Sequence, residues 1–225
     1  MDCGGGLWSN LQHILEFTIM LTAQNYLVLG IGTDIGKTFL VENICRNFPK
    51  FFAIKPLISG FDDPENSDSG KILKSLNIQI NTKNLDNISP WRFEKPVSPN
   101  FISNIDMNEI IDFCKNKIEY CNQNNLSLLI EGVGGVMSPI NKKNNFLDVA
   151  EILQLPIILV ISNYLGAISH TLTAIKSIES QNLKIDKIIA NNHMNMPVSM
   201  NEFIDCLKDF VNYEIENIEN FLKKP

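Results

Sequence analysis

Apolar residues in this chain fall into short, nearly continuous runs at residues 26–29, 51–54, 127–130, 156–161 and 187–190. Each is aliphatic or β-branched in character, and none alternates strictly with polar residues. A strand with one wet face alternates, so continuous runs predict strands covered on both faces, as in a parallel sheet. Between the runs, residues 39–45, 107–123, 147–153, 169–180 and 200–213 carry apolar positions at helical spacing. Alternating strands and helices predict an α/β fold, a doubly wound, mainly parallel sheet with helices on both faces. Residues 62–98 are of mixed polarity, with Pro64, Pro90 and Pro96, and predict a loop and helix region over the site. Ligands of such folds gather at the carboxyl ends of the strands, so the residues just after each run are the candidates for chemistry.

The first run leads into Gly30-Ile31-Gly32-Thr33-Asp34-Ile35-Gly36-Lys37-Thr38, and a helix follows from Phe39. Strand, glycine-rich loop, Gly-Lys-Thr and helix is the arrangement of a phosphate-cradling loop, which makes the fold P-loop NTPase-like. Glycines let the backbone approach phosphate oxygens, and amides at the helix N-terminus point at the anion. Lys37 supplies a mobile positive charge, and the Thr38 hydroxyl is placed for Mg²⁺. Five residues separate Gly30 from Gly36, where the common pattern has four.

The other run ends carry further candidates. Lys55-Pro56 follows the second run, a lysine at a strand end that either faces the phosphate loop or is an ordinary solvated surface residue. Glu131-Gly132-Val133-Gly134-Gly135 follows the third, where a strand-end carboxylate can hold Mg²⁺ and glycines let the backbone pass close to a nucleotide. Asn163 to His170 reads as a loop opening a helix, with Ser169 as an ordinary N-cap or with free amides for an anion. Asn191-Asn192 closes the last run, either to reach a base edge or to turn the chain. Asp68, taken locally, is a turn aspartate.

Composition narrows the function. The 225 residues suit one large domain, with ordinary hydrophobic (44%) and charged (20%) content for a soluble protein. A net charge of -6 argues against nucleic-acid binding as the main task. The five cysteines form no C-x-x-C pair and read as reduced core residues. His13, His170 and His193 are too scattered to suggest a metal site. Residues 1–24 precede the first strand and read as an extension outside a single domain at 25–225, with Met20 a plausible start. Their apolar stretch is interrupted by Glu16 and too short to span a membrane, and no other segment approaches that length. The expected location is the cytoplasm.

Taken in order, these features resemble dethiobiotin synthetases over about three quarters of the chain. The resemblance rests on Gly30 to Thr38, Lys55-Pro56 with Ser59-Gly60, Ser67-Asp68, and Phe93 to Pro99. It continues through Glu131 to Gly135, Pro139, Leu165-Gly166 with Ile168 and His170, and Ala190-Asn191. It implies an ATP- and Mg²⁺-dependent ligase closing the ureido ring of dethiobiotin from 7,8-diaminopelargonate and CO₂, through a carbamate and its phosphoric anhydride. By the same resemblance, Lys37, Lys55 and Thr33 are catalytic, and Thr38, Asp68 and Glu131 hold the metal. Asp34, Ile35, Gly36, Lys37, Thr38 and Phe39 with Gly132, Val133 and Gly134 hold the nucleotide, and Asn191 and Asn192 read its base. Ser59 and Thr33 meet the substrate, and Leu165 and Gly166 bind its carboxylate across a homodimer interface. The chain departs from the family pattern at Gly32, Asp34 and Asn192, and lacks a Gly-x-x-Pro strand after Val211.

Two other classes share parts of this pattern. Regulatory ATPases of the partition and division-site type carry an extra lysine early in the loop, where this chain has Ile31 and Gly32. Amidoligases of cobyrinate synthesis need a glutamine-hydrolysing domain, for which there is neither room nor a Cys-His pair.

Overall fold

The computed structural model describes residue 21 and residues 24–192 and 196–223. The extension expected at residues 1–24, apart from Leu21 and Gln24, lies outside these, as does His193. Six strands form one parallel sheet in the order β2-β5-β1-β6-β7-β8. They are β1 (Asn25–Gly30), β2 (Phe51–Ile54), β5 (Ser127–Glu131), β6 (Ile157–Ser162), β7 (Ile185–Asn191) and β8 (Ile215–Asn217). A second, two-stranded parallel sheet joins β3 (Leu57–Ser59) to β4 (Trp91–Phe93).

All five apolar runs are strands of the large sheet. Leu27, Val28, Leu128, Leu129, Ile130 and Ile157 to Ile161 are fully buried, as continuous runs require. Burying each such side chain contributes about 1.5–3 kcal/mol. The helices are α1 (Lys37–Asn47), α2 (Asp68–Ser75), α3 (Thr82–Ile88), α4 (Met107–Gln123), α5 (Phe146–Leu153), α6 (Ala167–Ser180), α7 (Met200–Lys208) and α8 (Ile218–Lys223). Side chains fix several of their starts. Asn145 and Asp148 form a capping box on α5, and Ser199 and Glu202 form one on α7.

Three local expectations change. Helix α6 starts at Ala167 with Gly166 as its N-cap, at φ 93, so Ser169 lies inside the helix and caps nothing. Helix α7 stops at Lys208, because its buried face of Met200, Phe203, Ile204 and Leu207 is complete there and the chain must turn into β8. Residues 62–98 do contain two helices, but they also contain strand β4, which pairs with β3 just before the segment. Among the described residues, no helix is long and apolar enough to cross a membrane. Cys45, Cys114, Cys121 and Cys206 are all free, and the first three are buried.

Strand β1 sits between β5 and β6, and the chain winds to β2 on one side before crossing to β6 on the other. That reversal places a crevice beyond the carboxyl end of β1, where Gly30 leaves the sheet.

Candidate active site

A cleft of about 470 Å³ opens at this crevice. The loop after β1, the start of α1, the ends of β2, β3 and β5, the first turn of α2 and residues 96–99 line it. The structure brings Thr33, Asp34, Gly36, Lys37, Thr38, Phe39, Lys55, Ser59, Asp68, Glu131, Val133 and Gly134 together on its walls.

The loop is shaped by contacts that only glycine permits. Gly36 has φ 99, and a Cβ there would lie 2.2 Å from Asn191 Nδ2. Asn191 in turn donates to the Ile35 carbonyl at 3.1 Å, so the end of β7 braces the loop from behind. Asp34 also takes a left-handed conformation, at φ 55, which aspartate tolerates better than most residues. The Lys37 ammonium donates to Gly32 O at 2.6 Å and to Gly134 O at 2.7 Å, tying the loop to the turn after β5. Burial, and then the nearby Lys55 charge, pull Lys37 down to about 8.

Opposite the loop lies a charged cluster. Lys55 Nζ donates to Glu131 Oε1 at 2.7 Å and to Asp68 Oδ2. The Thr38 hydroxyl donates to the same Glu131 oxygen at 2.6 Å and faces Asp68 as well. Burial alone would lower Lys55, but the charges of Glu131 and Asp68, with their hydrogen bonds, outweigh it and hold its pKa above the ordinary value. Asp68 is also desolvated, which pushes it up, and the Lys55 charge and hydrogen bond more than reverse that. Lys55 is therefore an ammonium at neutral pH, fit to pair with an anion and unfit to take a proton.

Glu131 is fully buried and its second oxygen, Oε2, has no hydrogen-bond partner. An orphaned buried carboxylate oxygen costs stability and suits a ligand. With Asp68 and Thr38 it makes a set of hard oxygen donors of the kind Mg²⁺ takes alongside phosphate oxygens. Among the described residues, no group of three or more His, Cys, Asp or Glu suited to a metal occurs. The Ser59 and Ser98 hydroxyls are likewise buried without partners at this cleft.

The remaining sequence candidates lie elsewhere. Ile35 is buried beneath the loop, and the Gly132 backbone is pressed against Leu29 and Phe146. Asn191 stands behind the loop rather than on the cleft wall, and Asn192 is exposed at the end of β7. Leu165, 96% exposed, and Gly166 line a second, largely apolar cleft of about 920 Å³ with Met196, Pro197, Val198 and Phe203. A single chain therefore does not bring them to the phosphate loop. Sequence reasoning gave no role to Lys71, Ser98 or Ser138, which also line the first cleft. Lys71 could have been found from its i+3 spacing to Asp68.

A parallel sheet with this loop and carboxylate cluster at its switch point defines a P-loop nucleotide-binding protein. Solved structures agree at the level of fold. A ParA family ATPase from Chlorobium tepidum TLS superposes with a TM-score of 0.53 at 14% identity, covering 89% of each chain. The MinC:MinD cell division complex of Aquifex aeolicus gives 0.51 at 18% identity, covering 86% of this chain and 79% of that one. The family model described as an AAA domain matches residues 24–223. Closer relatives separate the candidate classes. The ATP-dependent dethiobiotin synthetase of Legionella pneumophila strain Paris is 34% identical over 200 residues, covering 85% of this chain and 91% of its own. That of Phenylobacterium zucineum strain HLK1 is 36% identical over 178 residues, covering 74% and 75%. The chain belongs to the dethiobiotin synthetase family.

Proposed function

We propose that the protein makes dethiobiotin in biotin biosynthesis, closing the ureido ring of 7,8-diaminopelargonate with CO₂ at the expense of ATP. The observation that carries this reading is the Lys55, Asp68, Glu131 and Thr38 cluster facing a phosphate loop across one cleft, in a chain with these relatives. One amine attacks CO₂, losing a proton and forming a carbamate. A carbamate oxygen attacks the γ-phosphorus, giving a carbamic-phosphoric anhydride and ADP. The second amine attacks the carbonyl carbon, expels orthophosphate and closes the ring.

Each residue has work in this scheme. Carbamate and γ-phosphate are both anions, so their approach needs fixed positive charge in a site shielded from water. Lys55, kept protonated, pairs with the carbamate. Lys37 leaves the Gly32 and Gly134 carbonyls for the transferring phosphoryl group. Thr33, Ser59 and the unpartnered Ser98 offer hydroxyls to the diamine and carbamate. Asp34 to Phe39 and Gly132 to Gly134 wrap the nucleotide, and Asn191 and Asn192 read its base. Thr38, Asp68 and Glu131 hold Mg²⁺, which when bound neutralises phosphate charge. Leu165 and Gly166 serve the substrate carboxylate from the partner of a homodimer. The working unit is a single domain at residues 25–225, acting in the cytoplasm.

The test is an assay with ATP, Mg²⁺, bicarbonate and 7,8-diaminopelargonate. Dethiobiotin, ADP and orthophosphate should appear in equal amounts. ATP hydrolysis indifferent to the diamine, with no dethiobiotin, would reject the reading in favour of a regulatory ATPase.

A further inference from the structure

Of the three lysines on the cleft wall, two are engaged within the protein. Lys37 is bound to two carbonyls and Lys55 to two carboxylates. The third, Lys71, forms no ion pair or side-chain hydrogen bond among the described residues. It is exposed, three residues after Asp68 on α2, and it lines the same cleft. Its helical neighbour Lys74 differs, being drawn away from the cleft onto Glu65 by its carbonyl and carboxylate.

The first turn of α2 is held firmly. Ser67 caps it, accepting from Gly70 N at 3.0 Å and donating to Pro64 O at 2.9 Å. Gly70 packs so closely that a Cβ would lie 2.0 Å from Pro64 O. Asp68 and Lys71 share one face of this turn, at i and i+3. Lys71 is thus carried on a rigid support to the Asp68 side of the cleft, with its three donors unspent.

Charge accounting gives that placement a purpose. The cleft wall carries Lys37, Lys55 and Lys71 against Asp34, Asp68 and Glu131, three charges of each sign. Without Lys71 the wall would be net negative while it receives a polyanion. Resting on the reading of the cleft as the ATP and carbamate site, we infer that Lys71 is a phosphate-capturing residue, which contacts the phosphoryl group in transfer and the orthophosphate it becomes. A divalent cation at Asp68 and Glu131 would repel the ammonium from the carboxylates and turn it toward the phosphate oxygens.

The experiment compares Lys71→Ala and Lys71→Arg with the parent enzyme in steady-state kinetics, with orthophosphate as product inhibitor and thermal melting as control. Lys71→Ala should raise the orthophosphate inhibition constant and lower kcat/KM for ATP, each by about 10-fold, the size of one charge-assisted contact. KM for 7,8-diaminopelargonate should stay within about twofold, Lys71→Arg should recover most of the loss, and the melts should coincide. An unchanged orthophosphate constant, or a loss confined to KM for the diamine, overturns the inference. Lys55→Ala, run in parallel, separates the two readings. If it too is near parental in rate, the cleft assignment itself has failed; if it is inactive while Lys71→Ala is normal, only the role of Lys71 has.

Discussion

Lys55 Nζ donates to Glu131 Oε1 at 2.7 Å, an ion pair between the ends of adjacent strands with both side chains out of water. Taking Lys55 away leaves Glu131 buried without its ion-pair partner, whereas Lys55 without Glu131 would still have Asp68. Lys55→Ala should therefore lose at least ~10²-fold in kcat, as for removal of a charge contact to a transition state. It should also lose about 3–5 kcal/mol of stability. Mg²⁺ should restore part of that stability by returning positive charge to the carboxylates. Denaturant midpoints with and without Mg²⁺, beside single-turnover rates, measure both effects.

Lys37 predicts a pH dependence. Its pKa in the folded chain is about 8 against an ordinary value of 10.5, because burial and Lys55 disfavour its charge. Above pH 8 the free enzyme loses the phosphate-binding proton, so kcat/KM for ATP at saturating diamine should fall there. Bound phosphates hold the proton on, so the corresponding limb of kcat should lie higher. For stability the direction is opposite. Between about 8 and 10.5 the unfolded chain carries a proton that the folded chain lacks, so this residue's contribution to stability rises with pH across that window. Lys37→Ala should lose at least ~10²-fold in kcat and abolish the limb.

Thr38→Val keeps the shape of the side chain and removes the donor to Glu131 Oε1. A hydrogen bond to a buried charge is worth about 1.5–3 kcal/mol, and the urea midpoint should fall accordingly. The Mg²⁺ concentration for half-maximal activity should rise. An unaltered Mg²⁺ requirement would remove Thr38 from the metal site.

Gly36→Ala meets two obstacles, a left-handed φ of 99 and a Cβ 2.2 Å from Asn191 Nδ2. The conformational part costs about 1–2 kcal/mol. Adding Asn191→Ala should relieve the clash and leave the φ cost, so the double variant should melt above Gly36→Ala. If the two effects simply add, the contact with Asn191 is not what forbids a side chain.

The legibility of this protein in its sequence followed the range of the interactions. The five runs declared themselves because a strand buried on both faces needs an unbroken apolar stretch. Strands β3, β4 and β8 did not, each being three residues long and too short to show any period. Thr38 and Lys37 were marked by neighbours in the chain. Asp68 was not, because what distinguishes it from a turn aspartate is Lys55, thirteen residues away, and only family resemblance pointed to it. Ser98 depended on how residues 96–99 fold over the cleft, which no local pattern encodes, and Lys71 could be reached only through its spacing to Asp68 once Asp68 was known. The helix expected to run on to residue 213 ended early for a similar reason, since β8 must follow it to the sheet edge.

The bracing of the phosphate loop by Asn191 bears on the thermodynamics of occupancy. With Ile35 O held at 3.1 Å and Gly36 closed to any side chain, contacts within the domain itself fix the shape of the loop. Its backbone entropy is surrendered when the domain folds, so nucleotide binding carries little further ordering penalty. Calorimetry of nucleotide binding should accordingly lack the large unfavourable entropy of a segment that folds around its ligand.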